Sequence, residues 1–253
     1  MKISVITVML NSEATLLDTI HSVNAQTYPD IEQVFVDGGS SDRSVQIANE
    51  NAQKPHILIS EPDDGLYDAM NKGIKRASGD VIAFLNSDDI YADDEILSQV
   101  AKIFEDDSVD AVFGDLVYVK YNDTNTVRRY WKSGPYKEDA FLKGWLPPHP
   151  TFMCRKHLYD QFGSFDTTFK IASDYELMFR FIQRHKIRVG YLPKVFVKMR
   201  TGGASNTLTG MIKANLEVFR AFRQNGYPIH WRASVMKPVS KLGQYFIKPP
   251  PEL

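Results

Sequence analysis

Short apolar runs alternate with segments of helical period from Ile3 to Leu85, and this alternation constrains the fold more than any other feature of the chain. Ile3–Val8, Ile31–Val36 and His56–Ser60 read as strands, the first of them buried, and Val81–Leu85 as a strand buried on both faces. Between them, apolar positions such as Leu16, Leu17, Ile20 and Val23 recur at helical spacing. Asn11 or Ser12 is placed to cap the first helix, and Ser41 or Asp42 the second, over Ser44–Asn51. A third helix is expected from Leu66 to Ala77. Strand–helix units repeated in this way build a parallel, doubly wound α/β sheet.

The second half is less regular. A helix is expected from Asp94 to Glu105, then strands over Val109–Phe113 and Leu116–Tyr121, a turn at Asn122–Asn125 and a return strand over Thr126–Trp131. Residues 132–150 are rich in turn signals. A short extended piece at Thr151–Cys154 precedes a helix from Asp174 to His185, strands over Arg188–Leu192 and Val195–Met199, and a long helix opened by Gly202-Gly203-Ala204-Ser205.

Composition excludes several classes of function. A net charge of −1 gives no global field for nucleic acid. The single cysteine, Cys154, permits no intrachain disulfide and fits a reducing, cytoplasmic setting. No run approaches the roughly 18 apolar residues of a membrane span, and Met1–Val8 reads as a first strand rather than a leader. The turn after the first strand, Met9-Leu-Asn-Ser-Glu13, has no glycine, so a dinucleotide-binding loop is excluded, and no Walker A loop is present.

A nucleotide on this sheet would need its pyrophosphate neutralised by other means. The fourth strand ends in Asn86-Ser87-Asp88-Asp89, and open α/β sheets bind ligands beyond the carboxyl ends of their strands. Mg²⁺ and Mn²⁺ take one or two protein carboxylates together with phosphate oxygens. Adjacent aspartates here suit a metal–diphosphate site, and equally suit a polar strand exit.

The chain resembles the family-2 glycosyltransferases, which have the GT-A fold and use nucleotide-diphosphate sugars. The resemblance covers roughly residues 1–205 and rests on Ser4–Asn11, Val36-Asp-Gly-Gly-Ser-Ser-Asp42, Gly65-Leu-Tyr-Asp-Ala-Met-Asn-Lys-Gly73, Phe84-Leu-Asn-Ser-Asp-Asp89, Gly163-Ser-Phe-Asp166 and Ser173-Asp174. The third and fourth pieces look most like bacterial exopolysaccharide transferases of the colanic-acid type. The resemblance implies a catalytic domain over 1–205, with a nucleotide-sugar half at 1–90 and an acceptor half at 91–205, followed by a basic helical extension at 206–253.

It also implies roles. Thr7, Val8 and Asn11 would line the base and ribose, Asp37 would accept a hydrogen bond from the base, and Asp63 would touch base or ribose. Asn71, Lys72 and Ser87 would face the nucleotide, Asp88 would hold Mn²⁺ or Mg²⁺ with Asp89 assisting, and His149 would lie near acceptor or diphosphate. Asp174 would be the base of an inverting, hexosyltransferase-type transfer. Structural readings stand beside these: Asp37 as a turn carboxylate, Asp63 at a helix N-terminus, Lys72 on a solvated face, His149 in a loop, and Ser173-Asp-Tyr-Glu176 as a capping box. Trp131, Trp145 and Tyr136 suit either sugar stacking or core packing.

The chain departs from the family at Asn86, Ser173 and Met70, where many members carry Asp, Glu and Arg. The Gln-x-x-Arg-Trp signature of processive synthases is missing, which implies one sugar per encounter. The expected reaction moves a sugar, favourably from a UDP-sugar, to a lipid-linked or growing saccharide of a bacterial surface polysaccharide. The competing readings are a sugar-phosphate nucleotidyltransferase and a catalytically silent nucleotide-sugar-binding or scaffold protein. Basic and aromatic residues interleave from Lys213 to Lys248, a pattern suited to peripheral contact with an anionic membrane at the cytoplasmic face, or to a helix with a solvated basic side.

Overall fold

A computed structural model describes residues 1–202, 208–228 and 244. The first half runs β1 (Ile3–Met9), α1 (Leu16–Asn24), β2 (Ile31–Asp37), α2 (Ser44–Asn51), β3 (His56–Ser60), α3 (Leu66–Arg76) and β4 (Val81–Phe84). These strands pair in parallel in the order β3-β2-β1-β4. Ile3 lies level with both Ile31 and Val81, and Asp37 with both Met9 and Ser60, so the loops after the strands emerge along one edge.

Strand alternation explains the continuous apolar runs. Ile6, Val8, Val34 and Val36 pack against α3 through Met70 and Ile74. Ile3, Val5, Val81 and Ala83 join a second core on the opposite face, and Met9 and Phe35 a third with Leu16 and Ile20 of α1.

The second half adds β5 (Ile90–Tyr91), α4 (Ile96–Ile103), β6 (Ala111–Lys120), β7 (Asp123–Trp131), β8 (Met153–Arg155), α5 (His157–Phe162), α6 (Ser173–Met178), β9 (Val189–Arg200) and α7 (Leu208–Gln224). The nine-stranded sheet continues from β4 through β8, β6 and β9 to β5, with β7 paired to β6. Here β6 and β9 are parallel, and β8, β7 and β5 pair antiparallel to their neighbours.

Four local expectations change. The two strands expected on either side of Gly114-Asp115 are one strand, β6. A Cβ at Gly114 would collide with the Phe196 ring, and the buried Asp115 carboxylate accepts from Tyr130 Oη at 2.5 Å, Ser133 N at 2.7 Å and Tyr191 Oη at 2.9 Å. The pair expected around Pro193 is likewise one strand, because the register slips between Phe113↔Tyr191 and Asp115↔Val195 and the proline sits in the resulting bulge. Neither Asn11 nor Ser12 caps α1 with its side chain; Thr15 precedes the helix, and Asn11 has φ of 50°. The helix begun by α6 widens to π-helical pitch over Phe179–Arg184.

The described part of the basic extension, α7, is packed on the rest of the chain. Val218, Ala221 and Phe222 of α7 enter the same core as α3 and α6. Gly203, Ala204 and Ser205, and the tail side chains from Trp231 through Arg232, Lys237 and Lys241 to Lys248, lie outside the described residues. No helix among the described residues is long and apolar enough to cross a membrane.

Gly79 joins α3 to β4 in a position with no room for a side chain. A Cβ there would stand 2.8 Å from both Ser4 N and Lys2 O, which are backbone atoms of β1 and its approach. Gly79→Ala is expected to cost about 1–3 kcal/mol, read as a lower midpoint in urea or thermal unfolding.

Candidate active site

One cleft of 770 Å³ opens at the edge where β1 and β4 end, and α3, β6, β7, the 170–175 segment and α7 complete its walls. Its polar floor comes from loops that are bonded to one another. Asn11 Oδ1 accepts from Ser41 N at 2.9 Å, and Ser12 N donates to Ser44 Oγ at 2.8 Å. Ser12 Oγ lies 2.8 Å from Ser87 Oγ, and Thr15 Oγ1 donates to Ser87 O at 2.9 Å. The loops after β1, β2 and β4 therefore form one rigid rim.

Asp88 projects from that rim into the cleft. Arg200, buried at the end of β9, donates to the Asp88 carbonyl at 2.7 Å and the Tyr121 carbonyl at 3.0 Å, and pairs with Asp18 of α1. These contacts fix the Asp88 backbone and leave its carboxylate for the cleft. Burial pushes the Asp88 carboxyl above its ordinary range, against the pull of Arg200. Asp89 does not reach the cleft. It is fully buried, accepts from Asn86 Nδ2 at 3.2 Å, and has its other oxygen, Oδ1, unpartnered. Burial, and then the charge of Asp88, push Asp89 well above the carboxylate range.

Asp174 enters from the second half. Its Oδ1 accepts from Tyr175 N at 2.8 Å and lies 3.3 Å from Tyr67 Oη, whose proton goes to Ile171 O at 2.7 Å. Burial and the Asp174 charge raise the Tyr67 phenol, keeping it a donor. The expected capping box is not formed: Ser173 Oγ donates to Asp166 O at 2.9 Å, and Glu176 pairs with Arg180 at 3.0 Å. His149 lines the cleft, stacked on Phe84 with centroids 5.6 Å apart. Burial lowers its pKa, against the opposing effect of Asp174, so the ring is neutral near pH 7.

The structure thus gathers Val8, Asn11, Asp63, Ser87, Asp88, His149 and Asp174 around one space. It places four other candidates elsewhere. Thr7 is buried beneath the rim with its hydroxyl unpartnered. Asp37 is buried and spent on its own turn, accepting from Gly39 N at 3.2 Å, from the amide and hydroxyl of Ser40, and from Ser60 Oγ at 2.7 Å. Asn71 makes a two-way bond with the Phe165 backbone, both distances 2.9 Å. Lys72 reaches Pro62 O at 2.7 Å and the carboxylates of Glu61 and Asp68.

Sequence reading missed Tyr67, Arg200 and Lys170. Tyr67 lay within a quoted motif, and Arg200 was visible as a base closing an apolar strand. Lys170 carried no signal. Trp131 lines the cleft beside Tyr118 and Met199, whereas Trp145 packs on Phe141 and on Tyr136.

The charge balance bears on a metal. Asp63, Asp88 and Asp174 line the cleft, and among the described lining residues Lys170 is the one cationic side chain. Such a space repels a diphosphate unless a cation accompanies it. Asp88 is desolvated and unclaimed by any neighbouring side chain among the described residues, which fits one ligand of Mg²⁺ or Mn²⁺. No group of three or more His, Cys, Asp or Glu gathers among the described residues, so phosphate and water would complete the shell.

Residues 4–160 match the profile of Glycosyl transferase family 2. A PGL/p-HBAD biosynthesis glycosyltransferase of Mycobacterium tuberculosis is 30% identical over 210 residues, 81% of this chain and 79% of that protein. Among solved structures, S. aureus TarS in complex with UDP-GlcNAc aligns over 97% of this chain and 73% of its own, with TM-score 0.68 and 19% identity. A mannosyltransferase of Pyrobaculum calidifontis in complex with GDP-Man and Mn²⁺ aligns over 96% of this chain and 69% of its own, with TM-score 0.66 and 19% identity.

The Asp89 environment gives a stability prediction. A carboxyl whose folded pKa is raised favours the fold below its unfolded pKa and loses that advantage as pH climbs through the folded value. Asp89→Asn is therefore expected to raise the melting temperature of the ligand-free protein, by more at about pH 8 than at about pH 5. A gain that did not grow with pH would show that the carboxyl is not held above its ordinary range.

Proposed function

Because the chain belongs to glycosyltransferase family 2, we propose that it moves one sugar at a time from a nucleotide-diphosphate sugar to an acceptor hydroxyl, with inversion at the anomeric carbon. The observation that carries this reading is the placement of Asp88 and Asp174, from opposite halves of the chain, in one cleft. The sugar is proposed to be a hexose and the donor a UDP-sugar. TarS, whose fold this chain shares, has been solved with UDP and with UDP-GlcNAc.

Asp174 takes the proton of the acceptor hydroxyl as its oxygen bonds to the anomeric carbon. The bond from that carbon to the diphosphate oxygen breaks, and its electron pair leaves with the nucleoside diphosphate. Tyr67 Oη lies 3.3 Å from Asp174 Oδ1 and holds the Ile171 carbonyl three residues before the base, which helps to orient it. Asp88, backed by the buried Asp89, would hold Mn²⁺ or Mg²⁺, which when bound supplies positive charge against that building on the leaving group. Ser87, Asn11 and Val8 line the nucleotide side, and the neutral His149 ring closes the floor near the reacting centre. The bonds of Asp37 turn its role toward shaping the loop after β2.

The proposed acceptor is a lipid-linked or growing saccharide of a bacterial surface polysaccharide, met at the cytoplasmic face of the inner membrane. What supports this is the outer side of α7, where Ile212 and Leu216 are exposed beside the exposed Lys213 and Arg223. Such a side suits shallow insertion among anionic headgroups.

A melting panel with UDP, GDP, dTDP and CMP, each with Mn²⁺ or with chelator, tests the donor site. Ligand at 100 times its dissociation constant adds about 2.7 kcal/mol. One nucleotide is expected to shift the wild type only with Mn²⁺, and Asp88→Asn is expected to abolish that shift. Asp174→Asn is expected to keep the shift while transfer falls about 10²–10⁴-fold. Transfer by Asp174→Asn at the wild-type rate would remove Asp174 from the chemistry.

A further inference from the structure

Three successive backbone amides immediately before α6 point at one side chain from the far end of the chain. Glu217 Oε1 accepts from Lys170 N at 2.8 Å, and Oε2 accepts from Ile171 N at 2.9 Å and Ala172 N at 2.8 Å. Few side chains satisfy three consecutive amides, and a carboxylate does so because it offers about four lone-pair sites. The segment it grips leads directly into the residue that would act as base. From the other side, Tyr67 Oη holds the Ile171 carbonyl at 2.7 Å and reaches Asp174 Oδ1 at 3.3 Å. The Ile171 residue is thus held at its N–H by α7 and at its carbonyl by α3.

Glu217 itself is held in place. Val218, Ala221 and Phe222 anchor α7 in the core. Arg220, two positions past Val218, donates to Thr168 Oγ1 at 2.5 Å and lies over the Phe169 ring at 4.5 Å. Gln224 donates to Asp166 Oδ2 at 2.9 Å. Successive turns of α7 therefore grip residues 166–172, and the Glu217 contact is the one nearest Asp174 in sequence.

We infer that Glu217 is a positioning residue for the transfer reaction, holding residues 170–172 so that Asp174 meets the acceptor hydroxyl. The inference rests on the reading of Asp174 as the base. It does not require Glu217 to touch either substrate. Lost alignment of a reacting group by about 1 Å can cost on the order of 10²-fold in rate. Loss of the carboxylate should accordingly appear in turnover and leave the nucleotide side of the cleft unchanged.

The test compares wild type, Glu217→Gln, Glu217→Ala and Asp174→Asn in the full chain. The donor is the nucleotide sugar whose nucleotide gives the largest melting shift. Turnover is read as nucleoside diphosphate released, with water as the probe acceptor, below the melting temperature of every variant. Glu217→Gln is nearly isosteric and keeps one acceptor oxygen, so it preserves the fold while removing the second acceptor and the charge. It is expected to lower kcat about 10–100-fold, with donor KM and nucleoside diphosphate Kd within about twofold of wild type. Glu217→Ala is expected to lower kcat further per folded molecule. A kcat within about twofold of wild type in folded Glu217→Gln would overturn the inference, as would a rise in donor KM that matched the fall in kcat. Unimpaired turnover by Asp174→Asn would instead overturn the base assignment, a result separate from the Glu217 arm.

Discussion

The shared register of four parallel strands is the constraint on which the site depends. Ile3 stands beside both Ile31 and Val81, and β3 joins the same register through Val34↔Ile57. A slip of one residue in any of these ladders would turn its apolar set to the wrong face. It would also move the loop that follows out of line with its neighbours. The hydrogen bonds between the 10–15, 40–44 and 86–89 loops exist only because the strands deliver those loops side by side. Asp88 inherits its position from that alignment, with Arg200 adding the tie from the other half.

The repeating first half was legible because its strands are short and apolar, with β1, β2 and β4 buried on both sides, a pattern local to their own residues. Asn11, Asp63, Ser87 and Asp88 followed from it, since a residue just past a strand end must lie on the ligand edge. Asp37 shows the limit. It also follows a strand, yet its carboxylate folds back on Gly39, Ser40 and Ser60, and no local pattern distinguishes that from an outward orientation. Asn71 was beyond reach for another reason, since its partner Phe165 lies on a segment 94 residues away. Ser173 and Glu176 have capping-box spacing, but stronger partners at Asp166 and Arg180 take both side chains. In the second half, the strands through Gly114 and Pro193 were hidden because turn-forming residues sit inside them, tolerated by close packing on Phe196 and by a bulge.

Electrostatics and fold pull against each other at this edge. Burying Asp88 and Asp89 side by side raises both carboxyls, a cost to the empty protein. A cation carried in with a diphosphate would relieve that cost, so donor binding and local stability are linked. The same logic assigns the neutral His149 and the phenol of Tyr67 to shape and hydrogen bonding rather than charge.

Glu217 gives the chain an order of assembly. The loops of the cleft rim are paired with one another within the first ninety positions, but the segment before Asp174 finds its acceptor 45 to 47 residues further on. During synthesis, which proceeds from the N-terminus, residues 170–172 leave the ribosome before α7 does and lack their acceptor until it follows. On the proposed reading, a nascent chain would acquire a positioned Asp174 only after α7 has emerged.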